Sequence, residues 1–180
     1  MSSNAPVGRI GREVIGAERL SNRVKELGRQ ITLDYQGRPP LMVGVLKGAY
    51  VFMSDLAREI RLPVEFDFMA VSSYGESTQS SGVVRIVKDL ETDISGRDVL
   101  LVEDIVDSGL TLRYLRQLLS DRKPASLEVC ALLVREGAKA DDVKYTGFPI
   151  PPDFVVGYGL DVAQHYRELR GIMVFEPGES

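Results

Sequence analysis

An unbroken apolar run that ends in two carboxylates constrains this chain more than any other feature of its sequence. Residues 99–102 are Val, Leu, Leu and Val, and Glu103 and Asp104 follow at once. Such a run is typical of a strand that is buried on both faces of a parallel sheet. Because burying an unpaired carboxylate is costly, we expect Glu103 and Asp104 to lie at the carboxyl end of this strand, where open parallel sheets bind ligands.

A small, hydroxyl-rich turn follows the acidic pair and leads into a helix. The turn contains Asp107, Ser108, Gly109, Leu110 and Thr111, and the leucines after it fall on one face at helical spacing. Backbone N–H groups at a helix N-terminus form a ready anion site. We therefore predict that the turn binds a phosphate and that the acidic pair binds vicinal hydroxyls. The plainer alternative is a strand-turn-helix corner in which Asp107 or Ser108 only caps the helix.

Composition excludes several classes of function. The chain has 180 residues and a formal net charge of -4, which suits one compact domain and argues against broad attraction to nucleic acid. It has no apolar run as long as a membrane span, and residues 1–12 lack the apolar core of a secretory signal, so we expect a cytoplasmic protein. Cys130 is the only cysteine and is predicted to be a buried structural thiol. His165 is the only histidine, which excludes a multi-histidine metal site.

Alternating helical and strand patterns predict an α/β fold with a parallel sheet. Helices are predicted over residues 13–33, 50–60 and from about 112 onward, and strands over 41–46, 64–72, 83–87, 99–102, 127–134 and 154–157. The two ends, 1–7 and 177–180, are predicted to be loosely held. We expect the whole chain, 1–180, to form a single domain.

Two further segments have the composition of ligand-binding loops. Lys47 and Gly48 lie between a predicted strand and helix, where Gly48 allows close backbone approach and Lys47 adds positive charge. An ordinary loop with a solvated lysine is the alternative. Residues 72–82 contain no Val, Ile, Leu or Phe, and such a long loop inside a domain is typical of an active-site lid, with a flexible linker as the alternative.

A fourth segment makes the pattern recognisable. Residues 153–161 read Asp-Phe-Val-Val-Gly-Tyr-Gly-Leu-Asp; an isolated Phe154 would most simply be a core residue. Together with the segments above, however, this stretch resembles the type I phosphoribosyltransferases, and most closely those that act on hypoxanthine and guanine. The resemblance runs from the first helix to about Phe175. It implies a type I phosphoribosyltransferase fold, in which helices flank a central, mostly parallel sheet, with a small hood subdomain and a flexible active-site loop.

The resemblance also implies how the substrate phosphoribosyl pyrophosphate (PRPP) is held. Glu103 and Asp104 would contact the ribose hydroxyls, directly or through Mg²⁺, and residues 107–111 would wrap the 5′-phosphate. Asp107, as the catalytic residue, would handle the proton on purine N7. Pyrophosphate would be bound by Lys47, Gly48 and Arg167.

For the base, the resemblance implies that Phe154 stacks on the purine and that the backbone of Val155 reads the ring. Asp161, which ends this base-binding stretch, would contact a magnesium ion or its waters. Ser73 and Tyr74 would belong to the flexible loop that closes over PRPP and keeps water from the reacting carbon.

The chain departs from the family at the residue that reads the purine 6-oxygen. After residues 132–134 the family usually has a Lys, whereas this chain has Arg135. Arginine also donates hydrogen bonds, but its planar fork is bulkier and is no simple replacement. Lys139 is a second candidate for this role, because the segment 136–145 is shorter than is usual in the family.

The implied reaction transfers the phosphoribosyl group from PRPP to N9 of hypoxanthine or guanine and releases pyrophosphate. Mg²⁺ is the implied cofactor, and a homodimer or homotetramer is the implied assembly. Xanthine as the base is one alternative. Another is a PRPP-sensing regulator with the same fold that binds nucleic acid, against which the mildly acidic net charge argues.

Overall fold

The computed structural model describes residues 6–73 and 84–178. This part of the chain forms two sheets and three helices. In chain order the elements are β1 (Gly8–Ile15), α1 (Ala17–Asp34), β2 (Leu41–Leu46), α2 (Tyr50–Glu59), β3 (Glu65–Ser73), β4 (Val84–Lys88), β5 (Asp98–Val106), α3 (Leu110–Ser120), β6 (Ser126–Arg135), β7 (Tyr145–Ile150), β8 (Val155–Val156) and β9 (Ile172–Pro177).

The larger sheet has six strands in the order β4-β3-β2-β5-β6-β7. Five of them run parallel, and β4 pairs antiparallel with β3 at one edge. β2 and β5 are neighbours, with Leu41 beside Val99 and Gly44 beside Val102. Their carboxyl ends therefore lie side by side, and the turns that follow them meet at one edge of the sheet. The predicted α/β fold with a mostly parallel sheet is confirmed.

The side chains of β5 alternate between two apolar cores, which explains why its sequence is apolar without a break. Leu100 and Val102 belong to the core covered by α1 and α2, whereas Val99 and Leu101 belong to the core covered by α3. Burying one such side chain stabilises the fold by about 1.5–3 kcal/mol. The helices contribute Leu20, Leu27, Phe52 and Leu56 to the first core and Leu112, Leu115 and Leu119 to the second.

A second, smaller sheet of three antiparallel strands has the order β1-β9-β8. It shows that the predicted helix over 13–33 is wrong at its start, because residues 13–15 belong to β1 and α1 begins at Ala17. Ile15 pairs with Ile172, and Glu13 pairs with Met173. This pairing between the two ends of the chain overrides the local helical spacing. The sequence patterns also fail to predict β7 and β9.

The strand predicted over 41–46 is confirmed with the same ends, and the other predicted elements are present with shifted ends. The last predicted strand, 154–157, shortens to β8, while α3 begins at Leu110. Cys130 is free and buried, as predicted, and burial raises the pKa of its thiol.

Among the helices described, none combines the length and apolar character that a bilayer crossing requires. The Gly178 N–H donates to the Val7 carbonyl at 3.0 Å, so the described parts of the two ends lie together.

Candidate active site

The acidic pair lies inside β5 rather than after it. The ladder between β5 and β6 continues to Val106 and Val134, and this extends the strand past both carboxylates. Glu103 is only 5% exposed, and Asp104 accepts a hydrogen bond from the Ile105 N–H at 2.8 Å. Within the described residues, neither carboxylate has an ion-pair partner.

Burial raises the pKa of both carboxyl groups. The pKa of Glu103 lies well above its usual range because of burial, and the charge of Asp104 adds to this effect. Burial raises the pKa of Asp104 to about 6, although backbone N–H groups and the charge of Arg167 act in the opposite direction. A cation or several hydroxyl donors would stabilise the charged forms. The pair is therefore suited to a hard metal ion or to sugar hydroxyls.

The turn after β5 leaves the start of α3 open to an anion. Gly109 precedes the helix with a φ of +85°, and no side chain caps the helix at this residue. The Ser108 hydroxyl only accepts the Leu110 N–H at 3.3 Å. Of the two residues in the capping alternative, Ser108 makes this one contact with the helix start, whereas Asp107 makes none within the described residues. The backbone N–H groups of the first helical turn and the helix dipole give this turn the character of a phosphate site.

The predicted ribose-phosphate residues line one cavity of about 250 Å³, with a single exception. The exception is Leu110, whose side chain is exposed. The members of the predicted set that line the cavity are Glu103, Asp104, Asp107, Ser108, Gly109 and Thr111.

The turn after β2 packs directly against the acidic pair. The peptide bond between Leu46 and Lys47 is cis. A Cβ atom at Gly48 would overlap the carboxylate of Asp104, so this close approach requires a glycine. Lys47 donates from Nζ to Oε1 of Gln164 at 3.2 Å. The predicted pyrophosphate turn and the acidic pair thus belong to the same site.

A third segment places two cationic side chains beside this turn. Arg167 pairs with Asp161 at 3.0 Å (Nη2 to Oδ1) and donates from Nη1 to the Gly159 carbonyl at 2.7 Å. It also donates from Nη2 to Oε1 of Gln164 at 3.1 Å, the same oxygen that Lys47 contacts. Gln164 therefore holds the two cations together, where they could bind a polyphosphate. No sequence motif indicated Gln164, because it is uncharged and lies outside every motif.

Asp161 does not join the acidic pair in a single metal cluster. No group of three or more His, Cys, Asp and Glu side chains within 6–73 and 84–178 is arranged to hold a metal ion. Arg167 and the Gln164 N–H, which donates to Asp161 Oδ2 at 2.8 Å, already occupy this carboxylate. Asp161 is nevertheless close enough for its charge to raise the pKa of Asp104.

On the other side of the acidic pair, the predicted base reader contacts the predicted catalytic residue. Arg135 Nε donates to Oδ1 of Asp107 at 2.5 Å, and Nη1 donates to the carbonyls of Pro151 at 3.1 Å and Asp153 at 2.8 Å. The Asp153 carboxylate also pairs with Arg12 at 2.5 Å. No sequence motif assigned a role to Pro151, Asp153 or Arg12. The contact between Arg135 and Asp107 could have been predicted from the pairing of β5 with β6. Val106 lies beside Val134, and Asp107 and Arg135 are the residues that follow them in the chain.

Phe154 is not a core residue, because 51% of its surface is exposed. Its ring packs edge-on against Phe175 at 6.2 Å between centroids, and Phe175 packs against Tyr166 at 5.9 Å. Val155 is buried in β8, where it pairs with Val174. The short strand therefore fixes the backbone beside an exposed aromatic face, which is suited to a flat ring.

Lys139 and Ser73 are the remaining predicted contributors. Lys139 lines a neighbouring cavity of about 110 Å³ together with Gly109 and Leu112, and its backbone carbonyl packs against Gly109 of the phosphate turn. Ser73 is the last residue of β3, whereas Tyr74 and most of the predicted loop lie outside the described residues.

Comparison with known proteins identifies a consistent set of relatives. The sequence model of the phosphoribosyl transferase domain matches residues 15–163. Hypoxanthine-guanine phosphoribosyltransferase of Mycobacterium avium is 54% identical over 178 residues, which cover 94% of this chain and 88% of the relative. The enzyme of the same name from Bacillus subtilis is 50% identical and covers 93% of this chain and 94% of its own.

Solved structures give the same result for the fold. A hypoxanthine phosphoribosyltransferase from Staphylococcus aureus has a TM-score of 0.88 at 46% identity, covering 93% of this chain and 92% of its own. A hypoxanthine-guanine phosphoribosyltransferase from Bacillus anthracis has a TM-score of 0.87 at 43% identity, covering 92% of this chain and 99% of its own.

Proposed function

The chain belongs to the phosphoribosyl transferase domain family, and on that premise we propose that it transfers the phosphoribosyl group of PRPP to N9 of hypoxanthine or guanine. The products are pyrophosphate and IMP or GMP, so the enzyme salvages purine bases. The observation that carries this proposal is the position of Asp107 between the predicted phosphate site and the predicted base reader. This residue lines the cavity of the anion-binding turn and is also the partner of Arg135.

PRPP spans three neighbouring turns in this proposal. The 5′-phosphate binds at residues 107–111, where the start of α3 offers backbone N–H groups. The ribose hydroxyls face Glu103 and Asp104. Pyrophosphate binds beside Gly48, between Lys47 and Arg167, and the shared contact of these two cations with Gln164 supports that assignment.

Mg²⁺ is the proposed cofactor, and the chemistry of the donor set fits it. Two largely buried carboxylates without a cationic partner in the described part of the chain form an oxygen-rich site in which a divalent cation would offset the cost of their charge. Glu103 and Asp104 would hold the ion, with Asp161 acting on its waters. The ion held by these residues would offset negative charge on the pyrophosphate leaving group.

The base stacks on Phe154 and lies against the backbone of Val155. Arg135 donates to the purine 6-oxygen, and Asp107 accepts or shares the proton on N7. As the bond between C1 of ribose and the pyrophosphate oxygen breaks, N9 forms the new bond to C1, and loss of the N7 proton to Asp107 keeps the purine neutral. A base with a 6-amino group would place a donor opposite the guanidinium donor, which selects against adenine.

We also propose a cytoplasmic homo-oligomer. Support for the assembly comes from a groove of about 490 Å³ at α2 and β3, whose lining includes the exposed Tyr50 and Phe66 together with Met53 and Leu62. Apolar side chains of this size that face water are typical of surfaces that associate. Light scattering on a size-exclusion column measures the mass directly, and a monomer mass would contradict the proposal.

A panel assay tests the catalytic proposal. The protein is mixed with PRPP and Mg²⁺, each base is offered separately, and the nucleotide is identified by mass spectrometry. The bases are hypoxanthine, guanine, xanthine, adenine, uracil and orotate. IMP and GMP are the expected products, while XMP as the main product would support the xanthine alternative. No product from any base would refute the enzyme and favour a PRPP-sensing regulator.

A further inference from the structure

Arg135 makes a set of contacts that a lysine could not reproduce. Nε binds the carboxylate of Asp107, while Nη1 binds the carbonyls of Pro151 and Asp153. The Arg135 side chain is 18% exposed, whereas its partner Asp107 is 70% exposed. The guanidinium is thus anchored in the protein, and it fixes a carboxylate that would otherwise move freely in solvent.

The three contacts join two segments that are far apart in sequence. Asp107 follows β5, whereas Pro151 and Asp153 precede β8 and the exposed ring of Phe154. A planar guanidinium fixes the directions of its N–H groups, so a contact on one edge sets the geometry on the other. Arg135 therefore sets the position of Asp107 relative to the backbone next to Phe154.

The remaining nitrogen of Arg135 makes this arrangement complementary to one edge of a purine. Nη2 has no hydrogen-bond partner among the described residues, and in a guanidinium it shares an edge with Nε. The N–H donor at Nη2 of Arg135 therefore lies beside the Asp107 carboxylate, which is a hydrogen-bond acceptor. The 6-oxygen and the N7–H of a 6-oxopurine form the opposite pair, an acceptor beside a donor.

We propose that Arg135 is a positioning residue for Asp107. Base recognition and proton transfer in this enzyme then both depend on the Arg135–Asp107 pair and its fixed contacts with the Pro151 and Asp153 carbonyls. The inference rests on the proposed function and extends it. Arg135 acts on the chemical step through Asp107, in addition to any contact that it makes with the base. A lysine at position 135 would carry one nitrogen, which cannot contact Asp107, the carbonyls and the base in this fixed geometry.

A double-mutant cycle tests this dependence. Arg135→Lys, Asp107→Asn and the double variant are compared with the wild type for kcat and for the KM of PRPP and hypoxanthine. Arg122→Lys is the matched control, since Arg122 also pairs with an aspartate, Asp89, at 2.9 Å but is not among the site residues. Far-UV circular dichroism checks that each variant is folded.

Arg135→Lys is expected to lower kcat about 10- to 100-fold, because small displacements of a catalytic group have effects of this size. The KM for PRPP should change by less than about twofold, and Arg122→Lys should leave kcat unchanged. In the Asp107→Asn background, the effect of Arg135→Lys on kcat should shrink to less than about threefold. An unchanged kcat in Arg135→Lys, or an equal loss in both backgrounds, would overturn the inference.

Chemical rescue gives a second readout that does not require Arg135→Lys to fold. Arg135→Ala is assayed with millimolar guanidinium or methylammonium, and guanidinium is expected to restore more of the lost kcat. Equal rescue by the two cations, or no rescue, would overturn the inference. A wild-type protein that forms no nucleotide would refute the proposed function as well, whereas an active wild type with additive losses would refute the positioning role alone.

Discussion

Replacing Asp104 with Asn is predicted to stabilise the fold while it impairs the enzyme. Burial raises the pKa of Asp104 to about 6, so the folded protein holds a proton on this group more tightly than the unfolded chain does. The protonated Asp104 therefore adds to the free energy of unfolding. This contribution is fully present below the pKa of the unfolded state and is lost as the pH rises through about 6, where the folded protein loses the proton. At pH 7.5 the folded protein carries a charge that burial disfavours, and Asn removes it.

The magnitude follows from the two pKa values. The ordinary pKa of 3.8 rises to about 6, and each unit corresponds to about 1.4 kcal/mol, so the charge destabilises the fold by up to about 3 kcal/mol. Asn keeps an oxygen that can accept the Ile105 N–H. Because Asp104 is partly exposed, we expect a gain of about 1–2 kcal/mol, which raises Tm by roughly 2–8 °C in a chain of this size.

Unfolding experiments in EDTA at pH 5 and pH 7.5 measure this effect. Asp98→Asn is the matched control with the opposite expectation, because Asp98 pairs with Arg38 at 2.7 Å and accepts the Ser126 hydroxyl. Asp104→Asn should exceed the wild type in stability at pH 7.5, and the difference should narrow at pH 5. A variant that is no more stable than the wild type at pH 7.5 would refute the reasoning that burial makes this charge costly.

Three further substitutions test individual roles. Asp107→Ala is predicted to keep the fold and to lower kcat about 10²- to 10⁴-fold; equal turnover at saturating PRPP and base would remove its catalytic role. Gly48→Ala would press against the Asp104 carboxylate and is predicted to raise the KM for PRPP about tenfold or more; an unchanged KM would show that the close approach is not needed. Phe154→Ala loses stacking worth about 1–3 kcal/mol, which should raise the KM for the base about 5- to 150-fold. Equal changes in the KM for PRPP would contradict a base-specific role.

Local sequence patterns predicted the parts of the fold that depend on neighbouring residues. The apolar run at 99–102 identified a strand buried on both faces, and the leucines after the turn identified α3. A small glycine turn after each of β2 and β5 marked the edge at which ligands bind. These signals are local, because burial on both faces and the chemistry of a turn are encoded within a few residues.

The features that the sequence did not reveal depend on contacts between distant segments. β1 pairs with β9 across almost the whole chain, and local helical spacing misplaced the start of α1. Gln164 gains its role only because Lys47 and Arg167 converge on it. The contact of Arg135 with Asp107 likewise depends on the alignment of β5 and β6.

Base-dependent release of pyrophosphate tests directly whether the protein is a phosphoribosyltransferase. The purified protein is incubated with PRPP and Mg²⁺, with and without hypoxanthine, and pyrophosphate and IMP are quantified together. We expect pyrophosphate to appear only when hypoxanthine is present and in equal amount to IMP. Pyrophosphate release without a base, or no release with hypoxanthine or guanine, would contradict it.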